Sequence, residues 1–569
     1  MSNAVSVDAD RTPRADGPDD GDAGRGAQGI DLVDDAQVAD TDDESVTTGA
    51  DGDSVEDDGE GSDTGRVATE AGRLDAVLQR STATLAAIHP AAWLTFAGAA
   101  VFTVVFARLG VQRHDTFGTW AFDLGIYDQG FWLVSRGQSF VTVRGIDFWG
   151  HHVNLIAVAF APFYWLGAGP AFLITVQAAA LGAGAIPTYL IARDRLKSPW
   201  VALAFAGVYL MYAPIQWIAW ANFHPEALVV TPLLFAWWFA INHRWRAFFV
   251  SIVLALSMRE DTALAVFVMG LVLWWMLRGD EPSDRRNQRM ALAASALGVV
   301  WYVVCTRFVI PAFNQGQQPF YIGYFYGSYG SDTVEIAETI VTRPDRVVSD
   351  ATQPDRLRFY RDLLLPWGGL PLGGLLQLAM AGPQLLASVI GSSPYARSIR
   401  YQYTAVMIAP IVIASIEASA WMWRYRFVRR FLVPWMLVCA YVTNVAWSPS
   451  PIGTESEVWG QPVGRHDSMR AAIALVPDDA SVTATYTLGP HLSHREQIYD
   501  WPNPWVPSYW GNDDTYKLPA PSEIEYIVID RQQVGPEQQE LLAELVAPGG
   551  EFEVLLDVDD VVVGRRVDG

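Results

Sequence analysis

Long apolar windows recur through the middle of this chain, parted by short connectors, and nothing else in it limits the fold so strongly. A window of roughly 20 apolar residues reads as a transmembrane helix, and shorter ones serve where tilt or neighbours allow. The windows run 91–109, 170–191, 199–216, 226–242, 246–258, 262–277, 290–310, 362–375, 377–391, 403–421 and 430–447. They predict a mainly α protein, a polytopic bundle of about eleven transmembrane helices over residues 90–448. One further apolar run, Asn154 to Leu166, has to be placed, because counting it as a span inverts everything after it.

Charge decides the placement. With 154–166 lying at the interface, ARDRLKS (192–198), HRWR (243–246), RGDEPSDRRNQR (278–289) and RYRFVRR (424–430) share the side of the N-terminus. Together they carry 13 Lys or Arg, and short basic loops stay in the cytoplasm. The chain is therefore expected to be a multi-pass protein of the cell membrane, N-terminus inside and C-terminal segment outside. The external face then collects 110–168, WANFHPEA (220–227), REDTA (259–263), 311–361 and SIRYQY (398–403).

Composition sharpens both ends. The chain is 51% hydrophobic with 23 Trp, yet its net charge is −23. Residues 1–66 hold 20 Asp or Glu against four Arg, so residues 1–80 are expected to form a disordered acidic cytoplasmic tail. The same residues are polar, which predicts no secretory signal and an uncleaved first helix as anchor. Only Lys197 and Lys517 are lysines; Arg preference with abundant acid suits a halophile-like, high-salt cytoplasm or a GC-rich genome equally. Cys305 and Cys439 fall inside apolar segments, which speaks against a disulfide framework. No nucleic-acid partner is expected.

After Trp447 the pattern becomes that of a small external α/β domain over 455–569. RAAIALVP (470–477) and QQELLAELV (538–546) have helical spacing, SVTATYTL (481–488) and EYIVID (525–530) read as strands, and FEVLLDV with VVVGRRV as a terminal hairpin. His491 and His494 are three apart, which a helix could turn into a metal pair, though such histidines more often cap or pack.

Polar clusters interrupt the apolar pattern at the external face. In FDLGIYDQGFW (122–132), Leu124, Tyr127, Phe131 and Val134 follow helical spacing, which predicts an amphipathic helix lying along the outer membrane surface. Asp123 and Asp128 are five positions apart, about 140° around such a helix, so they form no carboxylate dyad. Asp123 is either an N-cap or a functional acid. His151 and His152 are adjacent and point apart on a helix, which speaks against a shared metal. In NFHPEA, Pro225 fits a first helical turn and places Glu226 at the positive helix end beside His224. REDTA sets Arg259, Glu260 and Asp261 at membrane depth, where ionisable groups are paired or functional. For Arg259 the partners are expected on other segments, and Arg suits bidentate phosphate recognition. Arg400, Tyr401 and Tyr403 in SIRYQY are interface anchors or ligand contacts. The long loop 311–361, with YIGYFYGSYG, reads as a lid or substrate loop whose Tyr residues suit sugar stacking.

These motifs occur in a familiar order. FDLGIYDQGFW, a histidine before an apolar run ending FAPFYWL, QAAALGAGAIPTYLIAR, NFHPEAL, REDTALAV and LGPHLSHREQIYDWPNP together resemble the membrane protein family labelled domain of unknown function 2079, across roughly residues 90–500. GHHVN departs from that pattern, with His151 where an acidic residue is expected. The family in turn resembles, remotely, the GT-C type glycosyltransferases, multi-helix enzymes that take sugars from polyprenyl-phosphate carriers on the outer membrane face. GT-C enzymes carry an acidic residue early in the first external loop and often a second in the next; Asp123 and Glu226 match these positions.

The resemblance implies an inverting transfer from a lipid-phosphate sugar, with membrane lipid and a polyprenyl-phosphate sugar donor as partners. Asp123 would be the catalytic base, and Asp128, His152, His224, Glu226, Arg259, Glu260, Asp261, Arg400, Tyr401 and Tyr403 would bind substrate. A divalent cation, Mg or Mn, would fall to Asp123, Glu226 and His224. Two other classes share the same features. A transporter of a polar or lipid-linked solute also has intramembrane carboxylates but should show paired repeats, and none is evident. A membrane-anchored surface binding protein would place its function in the C-terminal domain alone.

Overall fold

The computed structural model describes residues 89–316, 319–509 and 518–567; the acidic tail expected over 1–80 lies outside them. Helix α1 (Pro90–Asp115) begins on Pro90, with the His89 Nδ1 atom accepting from the Ala91 N–H at 3.1 Å. A π-turn, Ala121–Gly125, leads into α2 (Ile126–Val134). Strands β1 (Phe140–Val141) and β2 (Ile146–Asp147) pair antiparallel, and α3 (Ile156–Trp165) follows.

Among the described residues five helices are long and apolar enough to cross a membrane: α1, α4 (Pro170–Leu196), Pro282–Phe313, Gln402–Met422 and Arg426–Trp447. The pair Pro199–Met211 and Ala213–Trp220, bent by 42°, makes a sixth if counted as one span. Shorter apolar helices occupy α3, Pro225–Ile241, Trp245–Leu256, α5 (Thr262–Met276) and Leu375–Ile390. A helix of twelve residues reaches about 18 Å, against roughly 30 Å of hydrocarbon. The expectation of eleven spans thus reduces to five or six helices of spanning length with shorter apolar helices among them.

One expected window is not one continuous helix. Over 362–375 the helix Pro354–Leu364 stops, a 3-10 turn Leu365–Trp367 follows, Gly368 and Gly369 take φ of +65° and +78°, and a second 3-10 turn, Leu370–Gly373, comes after them. Two successive left-handed residues cannot continue a right-handed helix. The supposed loop 311–361 is also corrected: it holds the helices Phe320–Tyr326, Thr333–Thr342, Pro344–Ala351 and Pro354–Leu364.

Small residues let the helices approach. A Cβ at Gly298 of α6 (Pro282–Val304) would lie 2.6 Å from the Ala263 carbonyl of α5, and one at Gly270 of α5 2.5 Å from the Ala291 carbonyl of α6. Reciprocal glycines of this kind are how membrane helices gain close packing where burial of apolar surface gives no advantage over lipid. The basic connectors gather at one end, where Arg195 pairs with Glu417 of α7 (Ala405–Met422) at 2.5 Å and Asp194 accepts from Trp238 at 2.8 Å.

The C-terminal segment forms a five-stranded sheet in the order β4-β3-β5-β7-β6. Strands β3 (Val482–Ala484), β4 (Ile498–Asp500) and β5 (Tyr526–Asp530) are parallel; β6 (Phe552–Val558) and β7 (Val561–Arg566) are the expected hairpin, joined antiparallel to β5 through β7. Alternation along β3, β5 and β7 gives two buried faces, while β6 is mostly exposed. Val482, Ala484, Ile498, Val528 and Val563 join the core of the helix bundle, on the side of α8 (Arg465–Ala474). Ile527, Ile529, Val562 and Tyr499 form a second core with Leu542 and Leu545 of α9 (Pro536–Leu545). Ile88–Gly569 is consequently one compact unit.

Candidate active site

The site begins at the π-turn. Trp120, extended at φ −120° and ψ 143°, precedes the turn, and the Gly125 N–H reaches back five residues to the Trp120 carbonyl at 3.2 Å. Such one-turn widenings of a helix recur at functional sites because they re-aim a side chain. Here Asp123 caps nothing. Its Oδ1 lies 3.3 Å from His224 Nε2, its Oδ2 accepts from Asn222 Nδ2 at 3.1 Å, and its side chain is 26% exposed.

NFHPEA is held by an amide from α4. Gln177, buried, donates to the Ile218 and Asn222 carbonyls at 2.8 and 2.7 Å and accepts from the His224 N–H at 2.8 Å. Asn222 has φ +34°, a conformation an Asn side chain tolerates better than most. Arg113 of α1 stacks 4.2 Å from the Trp220 ring and donates to the Trp220 carbonyl at 2.7 Å and to Asn222 Oδ1 at 3.3 Å. Arg113 thus fixes Asn222, and Asn222 fixes Asp123. Pro225 opens a 3-10 turn, Pro225–Val229, as the sequence implied, with Glu226 in its first turn.

A deeper layer of charge lies beyond His224. Arg259 Nη1 meets Glu226 Oε1 at 2.5 Å and its Nε meets Asp261 Oδ2 at 3.1 Å. Pairing with Glu226 follows the expectation of a partner on another segment; pairing with Asp261 does not. Residues 257–261 are turns rather than helix, so near neighbours can face one another. Glu260 is enclosed: Oε1 contacts His152 Nδ1 at 2.8 Å and accepts from the Tyr321 hydroxyl at 3.1 Å, while Oε2 accepts from the Val153 N–H at 3.1 Å. Glu226 Oε2 and Asp261 Oδ1 are buried without a hydrogen-bond partner among the described residues. The Tyr127 ring stands edge-on to His224 at 5.3 Å. The Tyr403 hydroxyl is within electrostatic reach of Asp123, Arg259 and Glu226, and that of Tyr401 within reach of Asp123.

Asp123, His224, Glu226, Arg259, Glu260, Asp261 and His152 therefore form one connected cluster, with Tyr401 and Tyr403 at its side. Two expected residues lie elsewhere. Asp128 is wholly buried and accepts from the Tyr164 hydroxyl at 2.8 Å and the Ser493 hydroxyl at 2.5 Å, with His494 Nε2 at 3.0 Å. It ties the C-terminal segment to α2 and α3 and leaves no room for substrate. By the same packing α2 is buried on most sides rather than lying on a membrane surface. Arg400 pairs with Glu455 at 2.6 Å and covers the Trp217 ring at 4.5 Å. It lines a cavity of about 300 Å³ with Arg358, Arg361 and Arg397, because residues 395–404 are turns that send Arg400 and Tyr401 apart.

The cluster does not fit a metal. Among the described residues no three His, Cys, Asp or Glu side chains are arranged to hold one, and Glu226 is committed to Arg259. His491 and His494 also part: His491 stacks on His114 at 4.0 Å and His494 turns to Asp128. Gln177, Arg113 and Asn222 escaped the sequence reading. Asn222 stood inside the quoted NFHPEA motif and Tyr321 inside YIGYFY; Gln177 and Arg113 carried no local signal.

The family described as predicted membrane protein (DUF2079) matches residues 113–563. The chain belongs to that family. No curated protein matches it. Among solved structures, the crystal structure of ArnT from Cupriavidus metallidurans in the apo state is similar, with a TM-score of 0.51 and 14% identity over 84% of this chain and 99% of that one. At this identity the likeness is one of fold, and it gives the remote resemblance to GT-C type glycosyltransferases a structural form.

Proposed function

We propose that this protein is an integral membrane glycosyltransferase. It moves a sugar from a polyprenyl-phosphate-linked donor to an acceptor hydroxyl at the external face of the membrane. The fold shared with ArnT, a GT-C glycosyltransferase, supports the class. The basic connectors at the opposite end of the bundle support the orientation, N-terminus inside and C-terminal segment outside.

One observation carries the mechanism. Asp123 is the carboxylate of the cluster that has no arginine partner, is partly open, and is oriented from behind by His224 and Asn222. As general base it takes the proton of the acceptor hydroxyl, for which a reach of about 3 Å is needed. The acceptor oxygen bonds to the anomeric carbon from the face opposite the phosphate. The bond from that carbon to the phosphate oxygen breaks, its electron pair leaving with polyprenyl phosphate, and the proton stays on Asp123. Arg259, with Tyr403 beside it, supplies positive charge and a hydroxyl donor toward the leaving phosphate. Glu226 and Asp261 fix the guanidinium, while His152 and Tyr321 hold Glu260. No step uses a metal, because the cluster does not fit one.

The test is complementation. A strain lacking the protein is expected to accumulate a lipid-linked sugar and lose a surface glycan. The wild-type chain should restore both, and Asp123→Asn neither. Restoration of both by Asp123→Asn removes the assignment.

A further inference from the structure

The carboxyl edge of the C-terminal sheet is set against the π-turn that carries Asp123. The Ala121 N–H donates to the Tyr486 carbonyl at 3.0 Å, in the loop that leaves β3. Pro490 and Gly489 pack on Gly125 and Ala121, where a Cβ added to Gly489 would come within 3.0 Å of Ala121 Cβ. Parallel strands in open α/β sheets place ligands beyond their carboxyl ends. In β3, β4 and β5 those ends are Ala484, Asp500 and Asp530. Asp530 is taken by Arg465. Asp500 is not: its Oδ1 is buried and has no partner among the described residues.

Strand alternation aims Asp500 toward the helices. It shares a face with Ile498, which joins the core of the bundle, whereas Tyr499 between them belongs to the second core. The Tyr486 side chain is within electrostatic reach of both Asp123 and Asp500. Partly exposed rings stand with it. Phe122 and Tyr486 meet edge-to-face at 5.6 Å, and Tyr395 and Tyr401 at 5.1 Å. Tyr395 is within reach of both Tyr486 and Tyr401, and is 56% exposed. Flat rings beside a carboxyl group suit the C–H face and hydroxyls of a sugar ring. A peptide would instead need a strand edge, and the Ile498 N–H at the outer edge of β4 is already bonded to Thr142 Oγ1 at 3.0 Å.

We propose that Phe122, Tyr486, Tyr395 and Tyr401 wall a subsite for a saccharide acceptor, with Asp500 binding a ring hydroxyl at its far end. The acceptor of the transfer is then a glycan that offers a neighbouring hydroxyl to Asp123. Asp500 is a positioning residue, since it binds acceptor but exchanges no proton in the transfer. Burial pushes its carboxyl up to about 8, so near neutral pH it donates its own proton in that hydrogen bond. The assignment of the ligand as acceptor rests on the glycosyltransferase reading; the saccharide site does not.

Binding and turnover separate the two. Purified full-length protein in detergent is mixed with the methyl glycosides of glucose, mannose and galactose, and with a serine-containing hexapeptide, and saturation-transfer NMR is recorded. At least one glycoside should receive saturation at its ring protons in the wild type. Tyr486→Leu and, from a different segment, Tyr401→Leu should abolish it while the melting temperature holds. Asp500→Ala should weaken it about fivefold, as for the loss of one hydrogen bond. No transfer to any glycoside, transfer to the peptide alone, or wild-type binding in both leucine variants overturns the subsite. Glycoside binding in a protein that fails the complementation test removes the glycosyltransferase reading and leaves the subsite standing.

Discussion

The carboxylates on the two sides of His224 live under different rules. On the deep side Glu226, Asp261 and Glu260 are bound to Arg259, His152, Tyr321 and a backbone N–H. On the rim Asp123 is held by His224 and Asn222 with no arginine paired to it, and Asp500, buried behind the rings, keeps an Oδ1 with no hydrogen-bond partner among the described residues. Buried charges that satisfy one another hold a structure together, and removing one partner strands the other. A carboxylate with no arginine paired to it remains free to move a proton or bind a hydroxyl. The deep layer is scaffold, and the rim is where chemistry can occur.

The sharpest way to break this contrast is Arg259→Ala. It leaves Glu226 buried and unpaired and Asp261, whose side chain is 25% exposed, without its cation, and the expected loss is about 3–5 kcal/mol, read as a collapse of the melting temperature in detergent. A stable, inactive variant would instead move Arg259 to the rim class. Asp123→Asn is the converse: an unchanged melting temperature with transfer reduced about 10²–10⁴-fold, the range for a positioned general base. Asp128→Ala tests a third condition, a buried acid held by Tyr164, Ser493 and His494. It should cost about 2–3 kcal/mol, in the range for stranded hydrogen-bond partners, and open residues 485–500 to limited proteolysis. The effect at Asp500 depends on pH and vanishes in acid. Its carboxyl is raised to about 8 by burial, with Tyr486, Tyr509 and Arg144 near it. A raised acid gives stability that is complete below the unfolded value, about 4, and lost as pH climbs through the folded one. Asp500→Asn should therefore melt like wild type near pH 4 and above it near pH 9.

Much of the fold was legible because the apolar windows and basic connectors are long-range statements made by composition alone. The window 362–375 failed because apolar content does not reveal that Gly368 and Gly369 sit left-handed. Strand β4 was missed because three residues, Ile498 to Asp500, carry too little alternation to register. In the site, the motifs NFHPEA and REDTA marked the right segments but not the division of labour. Asp123 and Asp128 look alike in FDLGIYDQGFW, and only the arrival of Ser493 and His494 on one of them separates their roles. Gln177 and Arg113 were invisible for a related reason: each acts on backbone far away in sequence, and an isolated polar residue at the face or end of a helix has many duller uses.

The bond from Ala121 to Tyr486, and that from Ser493 to Asp128 across 365 positions, have a consequence for biogenesis. The last contacts of the turn that carries Asp123 come from chain that leaves the ribosome after every membrane helix. A nascent bundle halted before β3 therefore carries Asp123 on an unbraced turn, and only completed molecules hold it in place.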